Sequence, residues 1–176
     1  FTEDFVQDLL QANTDIVVHS WKDLPTERHP DLEILLTLSR ADQRDVLLFK
    51  KNSLHELKTK QSVVLLSSSQ RRIYHLKKFL LKALPFAPQE IRFKDVRGNI
   101  QTRIKKTLED SSVDGLIIAK AALDRLLGAK FPDLQDTKEE LRQMMKNFNW
   151  MVLPLSENPN AAAQGGNRPA PCRRRQ

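Results

Sequence analysis

The sequence has 176 residues, 40% hydrophobic and 29% charged, enough to bury one ordinary core or two small ones. Its formal net charge of +7 invites a nucleic-acid partner, but the closing stretch QGGNRPAPCRRRQ holds four arginines and no acid, and without them the balance falls to +3. A single cysteine, Cys172, excludes an internal disulfide and a Cys-cluster zinc site, and no apolar run reaches the roughly 18–20 residues that span a bilayer.

The basic balance is therefore largely a property of the tail, and neither a nucleic-acid nor a membrane partner is expected. The opening Phe1-Thr2-Glu3-Asp4 has no basic n-region, so a cytoplasmic location is the expectation. In chain order, Thr2-Glu3-Asp4 reads as a helix start, with Phe5, Val6, Leu9 and Leu10 following at helical spacing. Residues 15–20 read as a strand. Pro25 and Pro30 bracket a loop, and residues 33–39 read as a second strand. A charged link at 40–45 leads into the apolar run 46–50, and residues 53–58 suit one short helical turn.

A regular alternation follows. Strands are predicted at 62–66, 90–96, 113–119 and 151–155. Helices are predicted at 69–82, with Ile73, Leu76, Phe79 and Leu80 on one face, at 100–109, at 121–127 with Gly128 as the stop, and from a capping Thr137 through Phe148. Strands alternating with helices predict an α/β fold with a largely parallel sheet. There is no internal repeat. From Gly165 onward no periodicity is visible, so no fixed structure is expected there.

Three polar clusters fall just beyond predicted strands, where open α/β sheets collect ligands. The first is Ser20, Lys22 and Asp23, within HSWKDLPTE; its plain alternative is a solvated turn with a local ion pair. The second is Ser67-Ser68-Ser69-Gln70-Arg71-Arg72. Its hydroxyls and free helix N–H groups suit an anion, and two arginines oppose the helix dipole unless something supplies negative charge. The alternative is a capping serine followed by exposed arginines. The third is Arg97-Gly98-Asn99-Ile100-Gln101-Thr102-Arg103, a turn that could present two carboxylate-gripping guanidiniums, or else a turn and a solvated helix face. Together they suggest a cleft for a substrate carrying several carboxylates, with Asp23 as its one prominent acid. No Walker loop, GxGxxG, HExxH or GxSxG pattern occurs, and His19, His29, His55 and His75 are scattered, so no metal is expected.

The segments HSWKDLPTE, SSSQRR, VRGNIQTR and VDGLIIAKAALDRLLG, in this order and spacing, resemble hydroxymethylbilane synthase, also called porphobilinogen deaminase. NPNAAAQG resembles the segment that follows them in that family, and the resemblance covers residues 1 to about 165. It implies a transferase of tetrapyrrole and haem biosynthesis that joins four porphobilinogen molecules head to tail, losing ammonia each time, on a dipyrromethane cofactor attached to a cysteine. It also implies type II periplasmic-binding-protein-like domains with mixed, largely parallel sheets and an active site between the first two. Residues 1–44 would be part of domain 1, 45–152 domain 2, 153–165 the return to domain 1, and 166–176 a divergent tail.

Carried over residue by residue, Asp23 takes the place of the catalytic aspartate, with Lys22 and Ser20 beside the substrate. Ser67, Ser68, Ser69, Arg71 and Arg72 take the places that bind pyrrole acetate and propionate groups. Arg97 and Arg103 form a second arginine set on the turn shaped by Gly98 and Asn99, and Gln164 matches the return-segment glutamine. Porphobilinogen and the growing polypyrrole are the implied partners, and a monomer is expected. Loss of ammonia leaves an azafulvene, cationic when protonated, which a carboxylate at Asp23 would stabilise.

Family members begin with a further segment and continue into a third domain bearing the cofactor cysteine. Cys172 lies outside that motif and does not take its role, so this chain alone is expected to carry no attached cofactor and to be inactive. The switch to GNRPAPCRRRQ is what a frameshift, a splice variant or an artificial chain end would produce. The alternative from another class is a non-catalytic module of periplasmic-binding-protein type for a small anion, which would keep the arginines without needing Asp23.

Overall fold

The computed structural model describes all residues except 1, 21–23, 25, 26, 28, 36–39, 57–60, 162–166, 170, 171 and 174–176, with backbone alone at 2, 20, 54, 55, 167–169, 172 and 173. The chain forms two compact units, one of residues 1–43 with 161–176 and one of Arg44–Asn160.

The larger unit is a five-stranded mixed sheet in which the strands at 90–94, 62–66, 115–119, 45–50 and 148–152 lie side by side in that order. Its strands are β3 (Asp45–Lys50), β4 (Ser62–Leu66), β5 (Glu90–Lys94), β6 (Gly115–Ala119) and β7 (Phe148–Val152). β4 pairs in parallel with both β5 and β6, whereas β3 runs antiparallel to β6 and to β7. Four strands thus share one direction and β3 opposes them. The helices are α2 (Lys51–Glu56), α3 (Gln70–Ala83), α4 (Ile100–Glu109), α5 (Lys120–Leu127) and α6 (Gln135–Met145).

Both faces of the sheet are covered, which is why DVLLFK and GLIIA are nearly continuous apolar runs. Successive side chains point to opposite faces. Val46 and Leu48 join Ile104, Leu123 and Leu141 from α4, α5 and α6, while Leu47 and Phe49 join Leu76 and Leu80 from α3. Gly115 is demanded by close approach: a Cβ there would lie 2.5 Å from the carbonyl oxygen of Leu48 on the neighbouring strand. Deep inside, Asp114 accepts a hydrogen bond from the Val64 amide at 2.8 Å.

The smaller unit holds α1 (Thr2–Leu10), with Glu3 and Asp4 in its first turn, and two antiparallel pairings. β1 (Val18–Ser20) pairs with β8 (Asn167–Pro169), and β2 (Leu32–Glu33) with β9 (Cys172–Arg173).

Several boundaries differ from the sequence reading. The strand expected at 15–20 begins only at Val18, and that expected at 33–39 is described only at Leu32–Glu33, residues 36–39 lying outside the described set. Helix α6 starts at Gln135, fed by a 3-10 turn at Pro132–Leu134, so Thr137 sits inside its first turn rather than capping it. Pro132 fixes φ and starts the turn before the threonine is reached. Helix α6 ends at Met145, and β7 starts at Phe148, which is buried in the core, and stops before Pro154, which has no N–H to donate. The tail, expected to lack regular structure, supplies β8 and β9. Strand pairing uses backbone groups that every non-proline residue carries, so an unpaired edge can accept a segment with no strand-like composition.

Candidate functional site

The carboxyl ends of β4 and β5 each run into a helix through a polar junction. After β4, Ser67 is buried, and the Ser68 hydroxyl donates to the Val96 carbonyl at 2.6 Å and accepts from the Val96 amide at 3.0 Å, tying the two junctions together. Ser69 caps α3, its hydroxyl accepting from the Arg72 amide. After β5, Gly98 has φ +120°, a conformation that L side chains rarely adopt, and Asn99 caps α4 by accepting from the Thr102 amide and hydroxyl at 2.9 Å each. Neither helix has an acid in its first turn.

The charge that faces the α3 arginines comes from Asp45, at the start of β3. Because β3 runs against β4 and β6, its first residue lies level with Ala119, the last residue of β6. Asp45 is thereby delivered to the strand ends where α3 begins. Its side chain is buried; Oδ2 accepts from Arg71 Nη2 and Arg72 Nε at 2.9 Å, and Oδ1 accepts from Arg72 Nη2 at 2.7 Å. Asn158 Nδ2 donates to the same Oδ2 at 2.9 Å. Burial pushes the Asp45 carboxyl up, but the paired Arg72, the Arg71 bond and Asn158 outweigh it and hold the pKa at about 2.

Arg71 also donates through Nη1 to Asn158 Oδ1 at 3.1 Å and to the Pro159 carbonyl, and Arg72 Nη1 reaches the Ile117 carbonyl at 3.4 Å. Among the described residues each guanidinium thus commits three of its five N–H donors and keeps two. Arg103 differs. Its Nε donates to the Gly98 carbonyl at 2.7 Å, and among the described residues it has no carboxylate partner. Burial and the nearby positive charge of Arg72 lower its pKa. A guanidinium crowded by another, with no carboxylate partner among the described residues, is electrostatically suited to an anion.

The structure therefore brings Ser67, Ser68, Ser69, Arg71, Arg72, Gly98, Asn99 and Arg103 to one end of one sheet. Arg97, expected to act with Arg103, instead lines a groove of about 410 Å³ beside Lys94, Lys106 and Glu109, whose lining does not include Arg103. Lys22, Asp23 and Gln164 lie outside the described residues, and Ser20 is described by backbone alone, as the last residue of β1. Asp45 and Asn158 escaped the sequence reading, which counted Asp23 as the one prominent acid. The signal was present: arginines at a helix start need a nearby carboxylate, and Asp45 is an acid opening the apolar run Val46–Phe49. Among the described residues no group of three or more His, Cys, Asp or Glu side chains could hold a metal, and no helix is long and apolar enough to cross a membrane.

A family model described as porphobilinogen deaminase, dipyromethane cofactor binding domain, matches residues 1–165. The chain belongs to the porphobilinogen deaminase family. The porphobilinogen deaminase of Syntrophomonas wolfei is 42% identical over 127 residues, covering 72% of this chain and 38% of that protein. The probable porphobilinogen deaminase of Picrophilus torridus is 43% identical over 126 residues, covering 72% and 40%. The chain thus spans about two fifths of the length of these porphobilinogen deaminases. A solved structure from work on glutathione import in Gram-positive bacteria via GshT and the cystine ABC importer TcyBC of Streptococcus mutans aligns at 12% identity with a TM-score of 0.41, covering 98% of this chain and 62% of that one. A likeness of that size carries no argument.

The cofactor in the family model's description is a dipyrromethane, a group bearing several carboxylates. The donor set fits it: the remaining N–H groups of Arg71 and Arg72, and Arg103, which has no carboxylate partner among the described residues, lie beside the α3 and α4 starts. The chain's one cysteine, Cys172, is in β9 opposite Glu33.

Proposed function

We propose that this chain is part of a hydroxymethylbilane synthase, and that the end of its five-stranded sheet binds the acetate and propionate groups of porphobilinogen, of the dipyrromethane cofactor and of the growing polypyrrole. The observation that carries this reading is Arg103, a half-buried guanidinium facing Arg72 with no carboxylate partner among the described residues. Each pyrrole unit brings two carboxylates, and planar guanidiniums match that geometry through paired donors. Arg71, Arg72 and Arg103 hold the side groups in register, Ser67, Ser68 and Ser69 with the helix N–H groups shape the junction, and Arg97 takes a further carboxylate from the neighbouring groove. Their work is positioning.

Asp23 is the carboxylate that stabilises the protonated, electron-poor centre left by ammonia, with Lys22, Ser20 and Gln164 at the substrate. The dipyrromethane group, when bound, supplies the primer on which pyrroles are joined. The enzyme acts as a cytoplasmic monomer in tetrapyrrole synthesis.

Isothermal titration of the 176-residue chain with porphobilinogen tests the binding reading. Saturable binding is expected, weakened about tenfold or more in Arg103→Ala, the loss of a charge-assisted bidentate contact. Binding that ignores Arg103 overturns it. In a full-length enzyme, Asp23→Asn is expected to keep porphobilinogen binding and nearly abolish tetrapyrrole release. Substantial synthesis by that variant removes Asp23 from the chemistry.

A further inference from the structure

The larger unit is bounded by Arg44 at one end and Asn160 at the other, so the chain enters it beside Asp45 and leaves it just after Asn158 and Pro159. Both crossings meet at one side-chain cluster. The Asp45 carbonyl accepts from the Leu153 amide at 2.9 Å, its carboxylate accepts from Asn158, and Arg71 holds the Asn158 side chain and the Pro159 carbonyl. The segment itself is a tight turn in which Glu157 and Asn158 amides donate to the Pro154 carbonyl at 3.2 and 2.9 Å. The arginines read above as carboxylate binders are thus the same groups that clasp the exit of the chain.

We infer that Asp45 is a positioning residue that joins the anion-binding arginines to both chain crossings of the 44–160 unit, so that a carboxylate on Arg71 tightens residues 153–160. This rests on the reading that Arg71 and Arg72 bind carboxylates. Arg71 has two donors left, and an anion that takes them fixes a guanidinium whose other three already grip Asp45, Asn158 and Pro159. A side chain held at both ends loses rotamer freedom, and the segment it grips loses freedom with it. Asp45 is the hub: without its carboxylate, Arg71 and Arg72 are free to follow the ligand and release the exit turn.

The test is amide hydrogen exchange of the 176-residue chain with and without porphobilinogen, beside isothermal titration of the same samples. In the wild type, exchange at Leu153, Glu157 and Asn158 is expected to slow about fivefold or more on binding, a local change in opening. In Asp45→Asn that slowing is lost. Asn158→Ala guards against poor folding of the first variant, since it leaves the Asp45–arginine pairs in place; it should bind porphobilinogen within about threefold of wild type yet lose the slowing. A merely structural role would instead speed exchange equally with and without ligand. Binding without slowing in the wild type, or slowing that survives in both variants, overturns the coupling alone. No binding by the wild type overturns the coupling and the functional reading together.

Discussion

Arg72 grips the buried carboxylate of Asp45 with two parallel bonds, Nε to Oδ2 at 2.9 Å and Nη2 to Oδ1 at 2.7 Å, across 27 residues of sequence. The pair uses the planar fork that only arginine provides, and it satisfies an acid with no exposure to solvent. Removing one partner leaves the other buried and uncompensated.

Asp45→Ala strands two guanidiniums and the Asn158 amide. Chemical denaturation should show a loss of about 3–5 kcal/mol, the range for breaking a buried pair. Asp45→Asn keeps the shape and part of the hydrogen bonding and should lose less. Equal stability of Asp45→Ala and wild type would contradict the network.

The same carboxyl predicts an acid response. Its folded pKa of about 2 lies below the ordinary 3.8, so its stabilisation is complete above about pH 4 and disappears as pH falls toward 2. The contribution is about 2 kcal/mol. Urea midpoints measured against pH should fall through this window in the wild type, and that component should be missing from Asp45→Asn.

Arg103 is desolvated and repelled by Arg72 in the free chain. Arg103→Gln should therefore leave stability unchanged or raise it by a few tenths of a kcal/mol, while porphobilinogen affinity falls. Thermal unfolding and titration of one preparation check both halves; a marked loss of stability would mean that Arg103 has a counter-ion in the free protein.

Gly98 sits at φ +120°, and a Cβ there would meet Thr102 Cγ2 at 2.8 Å. Gly98→Ala should cost about 1–3 kcal/mol through backbone strain, disturb the Asn99 cap and move the arginines on either side of it. Denaturation and porphobilinogen titration should both register the change. An alanine variant with wild-type stability and affinity would show that the turn tolerates another conformation.

Local signals in the sequence were strong in the larger unit. The strand at Ser62–Leu66 and the helix at Ile100–Glu109 have the predicted limits, because an apolar run and an Asn-capped periodic segment each carry their own boundary. Helix α6 and strand β7 were displaced, because Pro132 and the buried Phe148 decide their starts. The pairings of β8 and β9 were not legible, since backbone pairing leaves little mark in side-chain composition.

By itself the sequence determined that this is an α/β chain of the porphobilinogen deaminase family with serines and arginines at strand-to-helix junctions. Those features are short-range, written in spacing, capping residues and motif order. Only the tertiary structure decided which charges meet. The reversal of β3 carries Asp45 to the ends of its oppositely directed neighbours, where it takes Arg71 and Arg72, while Arg103 is left facing Arg72 with no acid partner among the described residues. Strand direction is set by packing and pairing across the whole sheet, so the sequence shows that an arginine needs a carboxylate before it shows which arginine has one.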